Sequence, residues 1–238
     1  PVHNFSWLHH PGPQALLACF KGKAEIRFVG GCVRNTLLGL PLQDDFDLAI
    51  DCVPEDTMHY LKAAGITTIP TGLKHGTVSA IIDGMSYEIT TLRYDKDHDA
   101  RHAVVEFTRN WEADAWRRDF TINALYVNQE GKIFDAVGRL SDITLGIIRF
   151  IGDADARIQE DYLRILRFFR IHAYYGKGDL DPYGVEACTK WRHTLSTLSK
   201  ERITKEFFKL LEAIDPWLVI DVMEKTRILQ EIVPSAIR

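Results

Sequence analysis

Apolar residues along this chain fall into two regimes: short runs cut by turn residues up to about residue 150, and helical spacing beyond it. Ile26 to Val29 predicts a short strand ending at Gly30-Gly31, followed by a helix from Cys32 to Leu38 that Gly39 and Pro41 stop. Phe46 to Ile50 predicts a second strand. Thr77 to Ile82 and Met85 to Leu92 flank Asp83-Gly84, the signature of a type I′ hairpin. Ala103 to Thr108 adds a strand, Phe120 to Val127 begins as an amphipathic helix or strand, and Lys132 to Phe134 follows a turn at Gly131. From there Ile158 to Tyr174, Tyr183 to Trp191, Lys200 to Ala213 and Pro216 to Ile228 each predict an amphipathic helix. The expected fold is therefore α+β followed by all-α, with domains at 1–148 and 149–238. The charged stretch Asp95 to His102 reads as a flexible loop.

The composition, 46% apolar and 26% charged over 238 residues, excludes a disordered chain. A net charge of -4 and a pI of about 6.2 do not give the basic footprint usual for nucleic-acid binders. Cys19, Cys32, Cys52 and Cys188 are too scattered for a disulfide framework or a zinc site, which points to a reducing compartment. The longest early apolar run, Ala15 to Phe20, is too short to span a membrane, so no membrane partner is expected. The setting read from this is the cytosol, or an organelle after loss of a targeting segment.

Asp45-Phe46-Asp47 is the most informative tripeptide, because residues i and i+2 of a strand share a face. Two carboxylates side by side favour a cation, and Phe46, Leu48 and Ile50 leave the opposite face apolar. Taken alone, the pair reads more readily as an exposed acidic strand edge. Gly30-Gly31 changes the balance, since a glycine turn entering a helix lets backbone N–H groups approach phosphate, and Arg34 follows within a turn. Together these describe a site for a magnesium-bound nucleoside triphosphate. Glu88, alternating with Tyr87, Ile89 and Thr91, is either a third carboxylate or a solvated cross-strand charge. On the predicted helix from Ile158, Asp161 and Arg164 are spaced i,i+3 and Glu160 and Arg164 i,i+4, the spacing of surface ion pairs. An aspartate acceptor beside an arginine donor also matches the pairing edges of cytosine and adenine and mismatches those of uracil and guanine. Arg167 and Arg170 turn away around the helix and are read as reaching phosphate or orienting the readers.

Five ordered segments resemble the bacterial-type (class II) CCA-adding tRNA nucleotidyltransferase and poly(A) polymerase family, above all its mitochondrial and alphaproteobacterial branch. They are Gly30 to Arg34 with Leu37-Leu38-Gly39 and Asp45-Phe46-Asp47, Arg117 to Ala124, Asp135 to Asp142, Glu160 to Arg164, and Glu201-Arg202-Ile203. The resemblance implies a nucleotidyltransferase-type head with a mixed or antiparallel sheet, then a helical neck. It implies that Asp45 and Asp47 bind Mg2+, that Glu88 supports them, and that Gly30, Gly31, Arg34 and Arg118 hold the nucleotide. Asp161 and Arg164 would choose the base, with Arg167 and Arg170 completing the pocket. Asp135 to Asp142 matches a hinge, Glu201 to Glu206 a buttressing helix, and Asp95 to His102 the loop needed to switch from C to A addition. Asn35 stands where the family commonly has aspartate.

The implied reaction is two-metal nucleotidyl transfer from CTP and ATP to the 3′ end of tRNA, in a bacterial cytoplasm or mitochondrial matrix. A poly(A) polymerase, a CC-only or A-only enzyme, a non-catalytic tRNA-binding relic and a small-molecule nucleotidyltransferase are the competing readings. Gly72 to Thr77 and Glu88 to Arg93 look like the CCA type, and the presence of both Asp45 and Asp47 argues against a relic. The resemblance also implies a helical body and tail beyond Arg238, where most of the tRNA-gripping surface would lie.

Overall fold

The computed structural model describes residues 5–42, 45–72, 75–95 and 105–233. Internal contacts divide them into two units: one runs to Arg118 and resumes over Ile122–Leu140, the other holds Asp119–Thr121 and everything from Ser141 onward. The division falls earlier than the 148/149 boundary read from periodicity, and three residues from the middle of the chain cross it. Among the described residues no helix is long and apolar enough to cross a membrane.

The first unit is built on a seven-stranded mixed sheet in the order β3-β4-β5-β2-β1-β8-β9. Its strands are β1 (Ile26–Val29), β2 (Asp45–Ile50), β3 (Thr67–Gly72), β4 (Thr77–Ile82), β5 (Met85–Thr91), β8 (Tyr126–Val127) and β9 (Ile133–Phe134). All neighbours run antiparallel except β2 and β5. The β4–β5 turn has Asp83 at φ 51° and Gly84 at φ 80°, the two positive values a type I′ turn requires. β6 (Arg93–Asp95) and β7 (Val105–Phe107) form a separate ribbon. Beyond Asp95, the stretch read as a switching loop lies outside the described residues, as do Leu73 and Lys74.

Period-two alternation buries one sheet face. Phe46 stacks on Tyr87 at 5.3 Å between ring centroids, and Trp7 packs edge-on against Phe28 at 4.8 Å. Each such buried side chain contributes roughly 1.5–3 kcal/mol relative to exposure. Helices α1 (Pro11–Phe20), α2 (Gly31–Leu38), α3 (Pro54–Ala63) and α4 (Trp111–Trp116) belong to the same unit. The apolar run Ala15 to Phe20 is part of α1, whose Leu16, Leu17, Cys19 and Phe20 are buried. β3 contains Pro70 and lies at the sheet edge, where a missing N–H is tolerated.

The second unit is helical: α6 (Ala154–Glu160), α7 (Arg164–Tyr175), α8 (Pro182–Trp191), α9 (Lys200–Leu211), α10 (Trp217–Lys225) and α11 (Ile228–Ile232), entered through the short α5 (Leu140–Leu145). Two expected helices are interrupted. Ile158 to Tyr174 breaks at Asp161, whose backbone is extended at φ -153° and ψ 106°. Its carboxylate accepts a hydrogen bond from the Leu163 N–H at 3.1 Å, a local alternative to the helical ladder. Pro216 to Ile228 ends at Lys225, and Arg227 adopts a left-handed φ of 61° before α11. The core is aromatic: Phe120 meets Phe150 at 4.9 Å, and Phe150 stacks on Phe168 at 5.4 Å. Asp119 and Thr121 anchor the same strip through Arg167 and Asp142.

Candidate functional site

Sheet register assembles the site in the first unit. Ser79, Glu88, Asp47, Val29 and Tyr126 are successive partners across β4, β5, β2, β1 and β8, so their side chains share one face. Asp45 joins that face two residues before Asp47. The alternation read from the sequence thus brings Asp45, Asp47 and Glu88 to one side. Ser79 Oγ donates to Glu88 Oε1 at 2.6 Å, which fixes the third carboxylate.

The turn after β1 abuts this row. Gly30 adopts φ 75° and ψ -131°, a conformation essentially reserved for glycine. The left-handed backbone calls for glycine, and a Cβ there would lie 3.3 Å from Asp47 Oδ2, so that any larger residue would also push on this carboxylate. Gly31 is the first residue of α2, whose opening N–H groups lack intrahelical partners. Arg34, buried on α2, donates through Nε and Nη2 to Asn35 Oδ1 at 3.2 and 3.1 Å, and through Nη1 to Asn123 Oδ1 at 2.7 Å. Asn35 Nδ2 in turn donates to the Pro41 carbonyl at 2.8 Å. The amide at position 35 therefore accepts and donates at once, which a carboxylate does not do.

Arg118 enters from the end of α4. Its Nη2 lies 3.0 Å from Asp114 Oδ2, and its Nε donates to Tyr126 Oη at 3.0 Å. Arg117 pairs with the other Asp114 oxygen at 2.8 Å. Burial alone would push the Asp114 carboxyl up, yet Arg118 and Arg117 draw its pKa down to about 2. Asp47 goes the other way. Desolvation, reinforced by Asp45 and Glu88, raises its pKa against the pull of Arg118 and Arg34. Formal charge leaves a surplus in the row: three carboxylates, Asp45, Asp47 and Glu88, stand against the two arginines, Arg34 and Arg118, that act on Asp47.

That surplus is the test of whether a divalent cation fits. Among the described residues no three His, Cys, Asp or Glu side chains close into a metal cage. Magnesium does not need one, since it is commonly held by one or two carboxylates together with substrate phosphates and water. Asp45 and Asp47, with the Gly30 turn beside them, supply the two carboxylates of such a site.

The remaining candidates belong to the second unit. Asp161 and Arg164 are not successive positions on one helix, which corrects the i,i+3 geometry expected of them. Arg164 is committed to Glu160 and to the Arg157 carbonyl. Asp161 accepts from Arg202 Nη2 at 3.1 Å, a half-exposed contact. Arg167 pairs with Asp119 at 2.6 Å and Arg170 with Glu206 at 2.6 Å. Arg202 and Glu206 thus tie α9 to the Asp161–Arg170 segment, the buttress expected of Glu201 to Glu206. Asp114, Tyr126 and Asn123 were not singled out in the sequence. The i,i+4 spacing of Asp114 to Arg118 was the available signal, and Tyr126 announces itself only through strand pairing.

Residues 26–149 match a family described as the poly A polymerase head domain, and residues 179–237 one described as the probable RNA and SrmB- binding site of polymerase A. Human mitochondrial CCA tRNA nucleotidyltransferase 1 is 42% identical over 215 residues, covering 87% of this chain and 49% of that protein. The CCA-adding enzyme of Ligilactobacillus salivarius is 42% identical over 195 residues, covering 81% and 46%. This chain spans about half the length of the curated relatives it matches. The crystal structure of the Bacillus stearothermophilus CCA-adding enzyme in complex with CTP superposes with a TM-score of 0.81 at 34% identity, over 92% of this chain and 53% of that one.

Proposed function

Because the chain belongs to the poly A polymerase head-domain family, with CCA-adding enzymes among its relatives, we propose that it carries the catalytic part of a template-independent tRNA nucleotidyltransferase. In this reading the 3′-hydroxyl of tRNA attacks the α-phosphate of CTP twice and of ATP once, and pyrophosphate leaves. The observation that carries it is the register row, which sets Asp45, Asp47 and Glu88 on one face beside the Gly30 turn.

Asp45 and Asp47 would hold Mg2+, which when bound activates the attacking hydroxyl and neutralises the leaving phosphates. Glu88, held by Ser79, keeps the local field negative and so favours cation occupancy. The backbone of Gly30 and Gly31 lets phosphate approach the α2 N-terminus, while Arg34 and Arg118 hold the triphosphate in line. Asp161 and Arg164 choose the base by matching the donor–acceptor order of cytosine and adenine, exchanging Arg202 and Glu160 for the base edge. Arg167 and Arg170, tied to Asp119 and Glu206, fix the helix that presents Arg164. The named relatives are mitochondrial and bacterial, and we assign the same two settings, matrix or cytoplasm, to this chain.

Incubation with Mg2+, CTP, ATP and a tRNA lacking its terminal CCA, followed by sequencing of the 3′ end, tests the reading. Addition of CCA is the expected result. Runs of A would favour the poly(A) polymerase reading that the family description supports, and CC or A alone a partial enzyme. No extension under any nucleotide mixture would overturn the assignment.

A further inference from the structure

Asp114 and Tyr126 lie outside every role assigned above, yet both are almost completely buried against Arg118. Each Asp114 oxygen is used. Oδ1 accepts from Arg117 Nε at 2.9 Å, while Oδ2 accepts from Arg118 Nη2 at 3.0 Å and from Tyr126 Oη at 2.7 Å. Tyr126 Oη also accepts from Arg118 Nε, so carboxylate, phenol and guanidinium close a three-membered hydrogen-bonded ring. The phenol is itself immobilised: Trp111 of α4 packs edge-on against its ring at 5.6 Å, and its backbone pairs with Val29 on one side and Phe134 on the other.

Register makes this ring more than local structure. Val29 separates Tyr126 from Asp47, so the two stand two strands apart on the same face, roughly 10 Å from backbone to backbone. Arg118, whose Nε is bonded to Tyr126 Oη, therefore stands on the face that carries Asp47. A free arginine samples many rotamers and loses that freedom on binding an anion, whereas one held at two of its nitrogens has lost it already.

We propose that Asp114 and Tyr126 are positioning residues that pre-set the Arg118 guanidinium for the incoming nucleoside triphosphate. The inference rests on the reading that Arg118 meets that nucleotide. A burial role alone would be filled as well by phenylalanine at 126, which keeps the ring and loses only the two hydrogen bonds.

The test is calorimetric titration of the chain with CTP and Mg2+, in a double-mutant cycle of Tyr126→Phe and Arg118→Ala. Tyr126→Phe alone should weaken CTP binding about three- to tenfold, the range for losing one ordinary intramolecular hydrogen bond. In the Arg118→Ala background the same substitution should change affinity by less than about twofold. Thermal midpoints recorded alongside report any purely structural cost, which should appear in both backgrounds. Asp114→Asn should act in the same direction, and if it fails to fold the tyrosine cycle still decides. Unchanged affinity in Tyr126→Phe, or an equal loss with and without Arg118, overturns the inference. A wild-type chain that binds no CTP with Mg2+ brings down the functional reading itself, and the positioning role with it.

Discussion

The first unit fixes Asp45 and Asp47 by strand pairing, whereas the second holds Asp161 and Arg164 on either side of a helix break. In the sheet, each carboxylate inherits its direction from backbone hydrogen bonds to neighbouring strands, so spacing in sequence converts directly into placement. Across the break, a single carboxylate-to-backbone bond at Leu163 overrides the helical period, and the side chains take other partners, Arg202 and Glu160. Under the proposed function, chemistry that tolerates one geometry sits on the sheet, and recognition of two bases of different size falls to the segment where the backbone departs from regular structure.

The sharpest way to break this contrast is at the sheet. Asp47→Ala should lower incorporation of CMP and AMP on the order of a thousandfold while leaving tRNA affinity nearly unchanged, read by primer extension beside filter binding. Retained turnover would remove Asp47 from metal binding.

A smaller effect tests the anchor of the same unit against acid. Asp114 has its pKa depressed to about 2 from an ordinary value of 3.8, so its contribution is present above about pH 4 and lost as pH falls toward 2. That loss should amount to about 2 kcal/mol. Denaturant titrations between pH 5 and pH 2 should show it for the wild type and not for Asp114→Asn; parallel curves would contradict the anchoring role.

The mildest change belongs to the broken helix. Arg164→Ala should raise UTP incorporation relative to CTP by about tenfold, the scale of one discriminating hydrogen bond, with overall rate reduced less than by Asp47→Ala. Unchanged selectivity would leave Arg164 as a surface partner of Glu160.

What the sequence made legible follows the same division. The β4–β5 hairpin was readable because Asp83-Gly84 demands positive φ at two adjacent positions. The carboxylate face was readable because period two survives burial of Phe46, Leu48 and Ile50. α1, α3, α4 and β3 were not read. α4 is only six residues long, and its capping by Asn110, whose side chain accepts from Glu112 and Ala113 N–H groups, is a polar signal in a charged stretch. The break at Asp161 carries no glycine or proline to announce it, and the Asp114–Tyr126 contact is a side-chain hydrogen bond between residues twelve positions apart, one on α4 and one on β8. Motif resemblance reached Arg118 but not the groups that aim it.

The three residues Asp119–Thr121 give the second unit a property that its helices alone would not suggest. Arg167 closes on Asp119, the Phe150 ring on Phe120 and the Asp142 carboxylate on Thr121. A single cut at residue 141 would therefore carry away the helices without the strip that completes their aromatic core. Transplanting this unit into another enzyme, by recombination or by hand, requires two splice points rather than one, and the shorter piece is the one a sequence alignment of helices would leave behind.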